Sequence, residues 1–114
     1  MKERPEPPTI VVRHGDAPGP VLREVCAGAE EEGVPTRVEP SGTPADAAAL
    51  AHVAALASPL EVGVGIDVYG AVAVHHASLP PGTPALAVAS RGDQPSWRRA
   101  GAVAARIVTG LPIA

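Results

Sequence analysis

The chain contains no phenylalanine, one tyrosine, one tryptophan and a single cysteine in 114 residues. Without large aromatic side chains the core must be thin, because small apolar groups bury little area each and leave a modest margin over chain entropy that can depend on a partner. The lone Cys26 forbids an internal disulfide and fits a reducing compartment. No apolar run approaches the roughly 20 residues needed to span a bilayer, and the polar start, Met-Lys-Glu-Arg-Pro-Glu-Pro-Pro, lacks a signal core. The expected location is therefore cytoplasmic, with no membrane partner. Nine basic residues against twelve acidic ones give a net charge of −3, and the arginines are scattered. With no basic field, nucleic acid is not expected as a partner.

What is present is 22 Ala, 15 Val, 14 Pro and 12 Gly, enough chain for one small domain. A chain this short buries only about 60–65% of its unfolded surface, which argues against a self-sufficient enzyme with a deep enclosed pocket. Residues 1–8 read as a flexible N-terminal segment and 9–114 as a single α/β domain. Thr9–Val12 is a β-branched run that predicts a first strand. Pro20 suits a first helical turn, and Val21, Leu22, Val25, Cys26 and Ala29 recur at helical spacing up to Gly33 and Pro35. Thr36–Glu39 follows as a strand and Ala45–Ala57 as a helix, with Leu50, Val53, Ala54 and Ala57 among its apolar positions. Val62–Ile66 reads as a buried strand whose two glycines admit close packing. It is expected to form a hairpin with Ala71–His75 across a turn ending at Gly70. Ala85–Ala89 is a last strand, and Ser96 to about Thr109 a last helix stopped by Gly110 and Pro112. The order β-α-β-α-β-β-β-α predicts a three-layer α/β/α fold around a mixed, mostly parallel five-stranded sheet with one antiparallel strand.

The usual catalytic patterns are missing. There is no G-x-x-x-x-G-K-[ST] motif, Gly63-Val-Gly65 lies inside a strand, and no serine sits in a G-x-S-x-G turn. The loop Gly15–Gly19 precedes a helix, where backbone N–H groups could hold an anion, so a small anion-binding enzyme stays open as an alternative. His75 and His76 are adjacent on a strand and point to opposite faces. His14 and Asp16 have no identifiable third metal ligand, and His52 falls on the outward side of its helix. Cys26 lies on the apolar stripe and reads as a core thiol. The informative surface is the far side of the first helix. With the stripe centred on Leu22, Cys26 and Ala29, the opposite side carries Glu24, Ala27, Gly28 and Glu31. Glycine inside a helix costs about 1 kcal/mol relative to alanine, and close approach of another backbone is one compensation. A solvated acidic face and a docking face both remain open. A projecting carboxylate such as Glu31 can complete the shell of a hard cation whose other ligands come from a partner.

Leu22-Arg23-Glu24-Val25, followed by Gly28-x-Glu30-Glu31-Glu32-Gly33-Val34-Pro35-x-Arg37, resembles the signature of the small subunit of the reactivating factor for coenzyme B12-dependent diol and glycerol dehydratases. Three further blocks agree: Ser58-Pro59-Leu60-x-Val62-Gly63-Val64-Gly65-x-Asp67, Val74-His75-x-x-x-Leu79-Pro80, and Ala104-Ala105-Arg106-Ile107-Val108-x-Gly110-Leu111-Pro112. The resemblance implies a fold like the dehydratase's own medium subunit. It also implies a non-catalytic role beside a large ATPase subunit, mimicking the medium subunit so that damaged cobalamin leaves the dehydratase by subunit exchange. A structural subunit related to the medium subunit itself is the alternative. The family's magnesium-binding glutamate falls on Glu31. Mg2+ is thus expected to be shared with the large subunit, with no cofactor held by this chain alone, and Arg23, Glu24, Ala27, Gly28 and Glu31 are the expected partner interface. Val103, Thr109 and Ile113 replace the family's usual Asn, Lys and Phe, so partner choice is open at the final helix. Self-association of the isolated chain and residence in a bacterial microcompartment are likewise open.

Overall fold

A computed structural model describes residues 7–110. Most of the expected flexible segment 1–8, together with Pro112 and Ile113, lies outside them. Eight elements follow in the expected order: β1 (Ile10–His14), α1 (Gly19–Glu31), β2 (Thr36–Pro40), α2 (Ala47–Ala57), β3 (Val62–Ile66), β4 (Val72–His76), β5 (Leu86–Val88) and α3 (Gln94–Thr109). The sheet runs β2-β1-β3-β4-β5. β1 pairs in parallel with β2 and β3, and β4 is antiparallel to both of its neighbours. The fold is therefore the expected three-layer, mostly parallel α/β arrangement, with β4 as the one reversed strand among the described residues.

Local chemistry explains the punctuation. α1 begins with Pro at its first turn and is closed by Gly33 at φ 84°, a conformation that costs glycine nothing. Asp46 and Asp93 cap α2 and α3 by accepting from the amides of Ala49 and Ser96, and Gly110 ends α3 in the left-handed region at φ 75°. The hairpin turn is held by the Asp67 carboxylate, which accepts from the amides of Tyr69 at 2.9 Å and Ala71 at 3.0 Å.

Alternation along the strands sorts the two faces. Val62, Val64 and Ile66 join Ile10, Val12, Val72 and Val74 beneath α1 and α3. Gly63 and Gly65 turn to α2: a methyl group on Gly63 would reach within 2.6 Å of the Ala51 carbonyl oxygen, and one on Gly65 would overlap that of Ala47. An alanine helix thus lies directly on a glycine strand, which is how a core without large side chains reaches contact distance.

Several sequence expectations need correction. The buried stripe of α1 is Val21, Val25, Gly28 and Ala29, with Leu22 and Cys26 half-buried, because α3 lies alongside and draws the buried arc towards Gly28. In α2 the buried positions are Ala47, Leu50, Ala51, Ala54 and Ala55, and Val53 and Ala57 are exposed, since only one side of the helix meets the glycine strand. His52 is half-buried and not at the open surface, its ring packing edge-on against His75 with centroids 5.0 Å apart. His75 itself is fully buried, with ring nitrogens 3.0 Å from the carbonyl oxygens of His76 and Pro81. A neutral imidazole carries one N–H and donates to one of these two.

Candidate cation and docking site

α1 and α3 lie side by side on one face of the sheet, and their meeting line is made of glycine. A methyl group at Gly28 would overlap the carbonyl oxygen of Arg98 and lie 3.0 Å from the amide nitrogen of Ala102. One at Gly101 would overlap the carbonyl oxygen of Val25 and lie 2.9 Å from the amide nitrogen of Ala29. Gly28 therefore does not open α1 to an external partner; the backbone it admits is that of α3 in the same chain. The expected interface residue is in this respect corrected, and the reason is that a helix face opposite one apolar stripe can still be covered by a second helix.

The close approach has an electrostatic result. With its backbone pressed against Gly28, Arg98 sends its side chain between two carboxylates two turns apart on α1. Its Nε donates to Glu24 Oε1 at 2.8 Å, its Nη2 lies 2.8 Å from the same oxygen, and its Nη1 donates to Glu31 Oε2 at 3.2 Å. Gln94 donates to the other Glu24 oxygen at 3.1 Å, so both oxygens of that carboxylate are engaged. The hydrogen bond that Arg98 donates to Glu24, with the charges of Glu24 and then Glu31 behind it, raises the Arg98 pKa above its ordinary value. A second cross-helix pair joins Arg106 to Glu32. Between these pairs lies an open cavity of about 570 Å³ lined by Glu24, Gln94, Arg98, Ala102 and Arg106.

Arg23 and Ala27, the remaining expected interface residues, lie on α1. Arg23 is exposed and Ala27 half-buried. The Glu24 side chain keeps 12% of its exposure, whereas that of Glu31 keeps 59%. The two acids thus differ: Glu24 is an internal counter-ion of α3, and Glu31 projects. An exposed carboxylate oxygen is a suitable donor for a hard divalent cation. Among the described residues no group of three or more His, Cys, Asp or Glu side chains is arranged to hold a metal, so Glu31 does not form a complete cation site with its described neighbours. Sequence reasoning missed the α3 contribution, although Arg98, Ala102 and Arg106 at i, i+4 and i+8 mark one helical face beside Gly101.

Two other features carry polar or nucleophilic groups. At the C-terminal ends of β1 and β3 a cavity of about 700 Å³ is lined by residues that include His14, Asp16, Asp46, Asp67 and Tyr69. This is where open α/β sheets usually bind ligands. Three carboxylates with no ion pair among the described residues make it unsuited to phosphate, which weighs against an anion-binding enzyme at the Gly15–Gly19 loop. Cys26 is half-buried, and burial pushes its thiol pKa up, opposed by a hydrogen bond with Thr36 and reinforced by the charge of Glu30. It is a poor nucleophile. No helix among the described residues is long and apolar enough to cross a membrane.

A family model described as "Dehydratase medium subunit" matches residues 6–114. The chain is 37% identical over 107 residues to the diol dehydratase-reactivating factor small subunit of Klebsiella michiganensis, covering 92% of this chain and 82% of that protein. It is 36% identical to the propanediol dehydratase-reactivating factor small subunit of Salmonella typhimurium, covering 92% and 89% respectively. Among solved structures, a glycerol dehydratase reactivase superposes with a TM-score of 0.90 at 34% identity, covering 95% of this chain and 97% of that one. A diol dehydratase-reactivating factor complexed with ADP and Mg2+ superposes with a TM-score of 0.85 at 33% identity, covering 96% and 99%.

Proposed function

Because the chain belongs to the dehydratase medium subunit family, among the small subunits of diol and glycerol dehydratase-reactivating factors, we propose that it works as the non-catalytic partner of a large ATPase subunit. The pair acts on a coenzyme B12-dependent dehydratase that holds damaged cobalamin. The small subunit takes the place of the dehydratase's medium subunit, which loosens the enzyme and lets the spent cofactor leave. The observation that carries this reading is that one family description, a dehydratase medium subunit, spans nearly the whole of a chain whose relatives are reactivating-factor small subunits. Two proteins sharing a fold and its docking face can compete for one site, which is what exchange requires.

The α1 face is the proposed contact with the large subunit, formed by Arg23, Glu24, Ala27 and Glu31 with Arg98 and Arg106 of α3 beside them. A magnesium ion there would supply a positive centre that ties carboxylates of two subunits together. On this chain Glu31 offers the exposed oxygen, and Glu24 stays with Arg98. The relative bound to ADP and Mg2+ supports the presence of that ion in such factors. Neither nucleotide chemistry nor a catalytic group is assigned to this chain.

The test is assembly. The chain is co-expressed with a reactivase large subunit, and the complex is isolated in magnesium chloride. A stable complex is expected, with Glu31→Gln weakening it at least several-fold in magnesium while the circular dichroism of the lone chain is unchanged. Native-strength assembly by Glu31→Gln in magnesium would refute the cation contact. Failure of the chain to displace the medium subunit from dehydratase would refute exchange.

A further inference from the structure

Resting on the proposed role of Glu31, we propose that Arg98 is a positioning residue for that carboxylate: anchored on Glu24, its guanidinium holds Glu31 by Oε2 and leaves Oε1 for the divalent cation.

The argument starts from the geometry of three side chains. Glu24 and Glu31 are seven residues apart on one helix, so about 10 Å of helix axis separates their backbones, and each side chain alone has several rotamers. Arg98 reaches both from α3 and divides its nitrogens unequally. Nε and Nη2 converge on Glu24 Oε1, both at 2.8 Å, while Nη1 alone meets Glu31 Oε2 at 3.2 Å. Gln94 fills the second oxygen of Glu24. The Glu24 end is the fixed end, with its side chain only 12% exposed. The Glu31 end is held by one longer bond, and no protein partner among the described residues engages its Oε1.

Carboxylates that bind metal are commonly oriented by a hydrogen-bond donor on the oxygen that does not face the metal, and loss of such a donor costs about 10–100-fold in metal affinity. A guanidinium suits this task because its planar fork bonds two acceptors in fixed directions, which a lysine ammonium does not reproduce. Its charge would repel a cation bound to the chain alone. The arrangement therefore favours a cation only when further ligands arrive, as at a shared site. Gly28 belongs to the same device: by admitting the Arg98 carbonyl against α1 it puts the guanidinium between the two acids.

The experiment measures the dissociation constant between this chain and the large subunit, in excess magnesium chloride and in EDTA, for Arg98→Gln, Glu31→Gln and the double variant. Arg98→Gln is expected to weaken assembly about 10-fold or more in magnesium, with little change in EDTA. Added to Glu31→Gln it should weaken assembly less than about twofold further, because the residue acts through Glu31. Arg98→Lys, which keeps the charge and loses the fork, should recover only part of the loss, and it serves as the test should Arg98→Gln fail to fold. Equal weakening by Arg98→Gln with and without magnesium, or undiminished weakening in the Glu31→Gln background, would overturn the proposal and leave Arg98 a helix clamp. If Glu31→Gln assembles normally, the reading of Glu31 falls first and that of Arg98 with it.

Discussion

Replacing Gly28 by Ala adds one methyl group to an interior helical position and pits two effects against each other. Helix propensity favours alanine over glycine by about 1 kcal/mol. Against this, the new methyl overlaps the Arg98 carbonyl oxygen and crowds the Ala102 amide, both backbone atoms of a helix that cannot rotate away. Extra methylenes in a packed interior cost about 1–3 kcal/mol, and a backbone obstacle belongs at the upper end. Separating α1 from α3 also loosens Val25, Ala29, Ala100 and Ala104, all at most 1% exposed. The net effect should be a loss of about 1–2 kcal/mol, or about 4–10 °C in Tm for a domain of this size. Urea unfolding followed by circular dichroism measures it, with Ala27→Gly on the neighbouring half-buried position as a comparison that loses propensity without a clash. Gly101→Ala should behave like Gly28→Ala, and the double variant should lose less than the sum, since one displacement of α3 relieves both overlaps. A Gly28→Ala chain as stable as the native one, or more so, would refute the tight seam and return Gly28 to an open face.

Two pH effects follow from the shifted groups. Hydrogen bonds from Ser96 hold the Asp93 carboxyl below its ordinary value. Its capping contribution is therefore complete above the ordinary carboxylate range and lost as pH falls through the lower folded value. The stability gap between the native chain and Asp93→Ala should accordingly narrow in acid, and a gap that stays constant to the lowest pH would contradict the charged cap. For Cys26, burial raises the thiol pKa, so its alkylation rate by iodoacetamide should rise with pH at a higher midpoint than in a peptide thiol. A midpoint at or below the peptide value would contradict the half-buried placement.

Much of this fold was legible because its punctuation is local. Pro20, Gly33 and Gly110 mark helix ends by φ restrictions that operate within a few residues, and Val62-Gly-Val-Gly-Ile66 announces a buried strand by alternation alone. The site was half legible. Helical angle puts Glu31 on an outward arc, and it is exposed. The same angle puts Gly28 on that arc, yet it is buried, because angle along one helix carries no information about a second helix seventy residues later in the chain. Likewise the ring contact between His52 and His75 depends on where α2 crosses the sheet, which nothing near either histidine encodes.

The shortage of large side chains and the electrostatics of the site have a common origin. Helices carrying phenylalanine or leucine at their contact keep their axes about 8–10 Å apart, and a guanidinium reaching across must extend from one ridge to the next. Here glycine faces backbone on both helices, at Gly28 and at Gly101, so at these two points the backbones of α3 and α1 come into direct contact. Arg98 then need not cross a groove: its own carbonyl touches α1, and its side chain runs along the surface to Glu24 and Glu31. The same composition that thins the core therefore brings the guanidinium to the two carboxylates. Any substitution that fattens the α1–α3 seam should first be felt as a misplaced Glu31, before the domain unfolds.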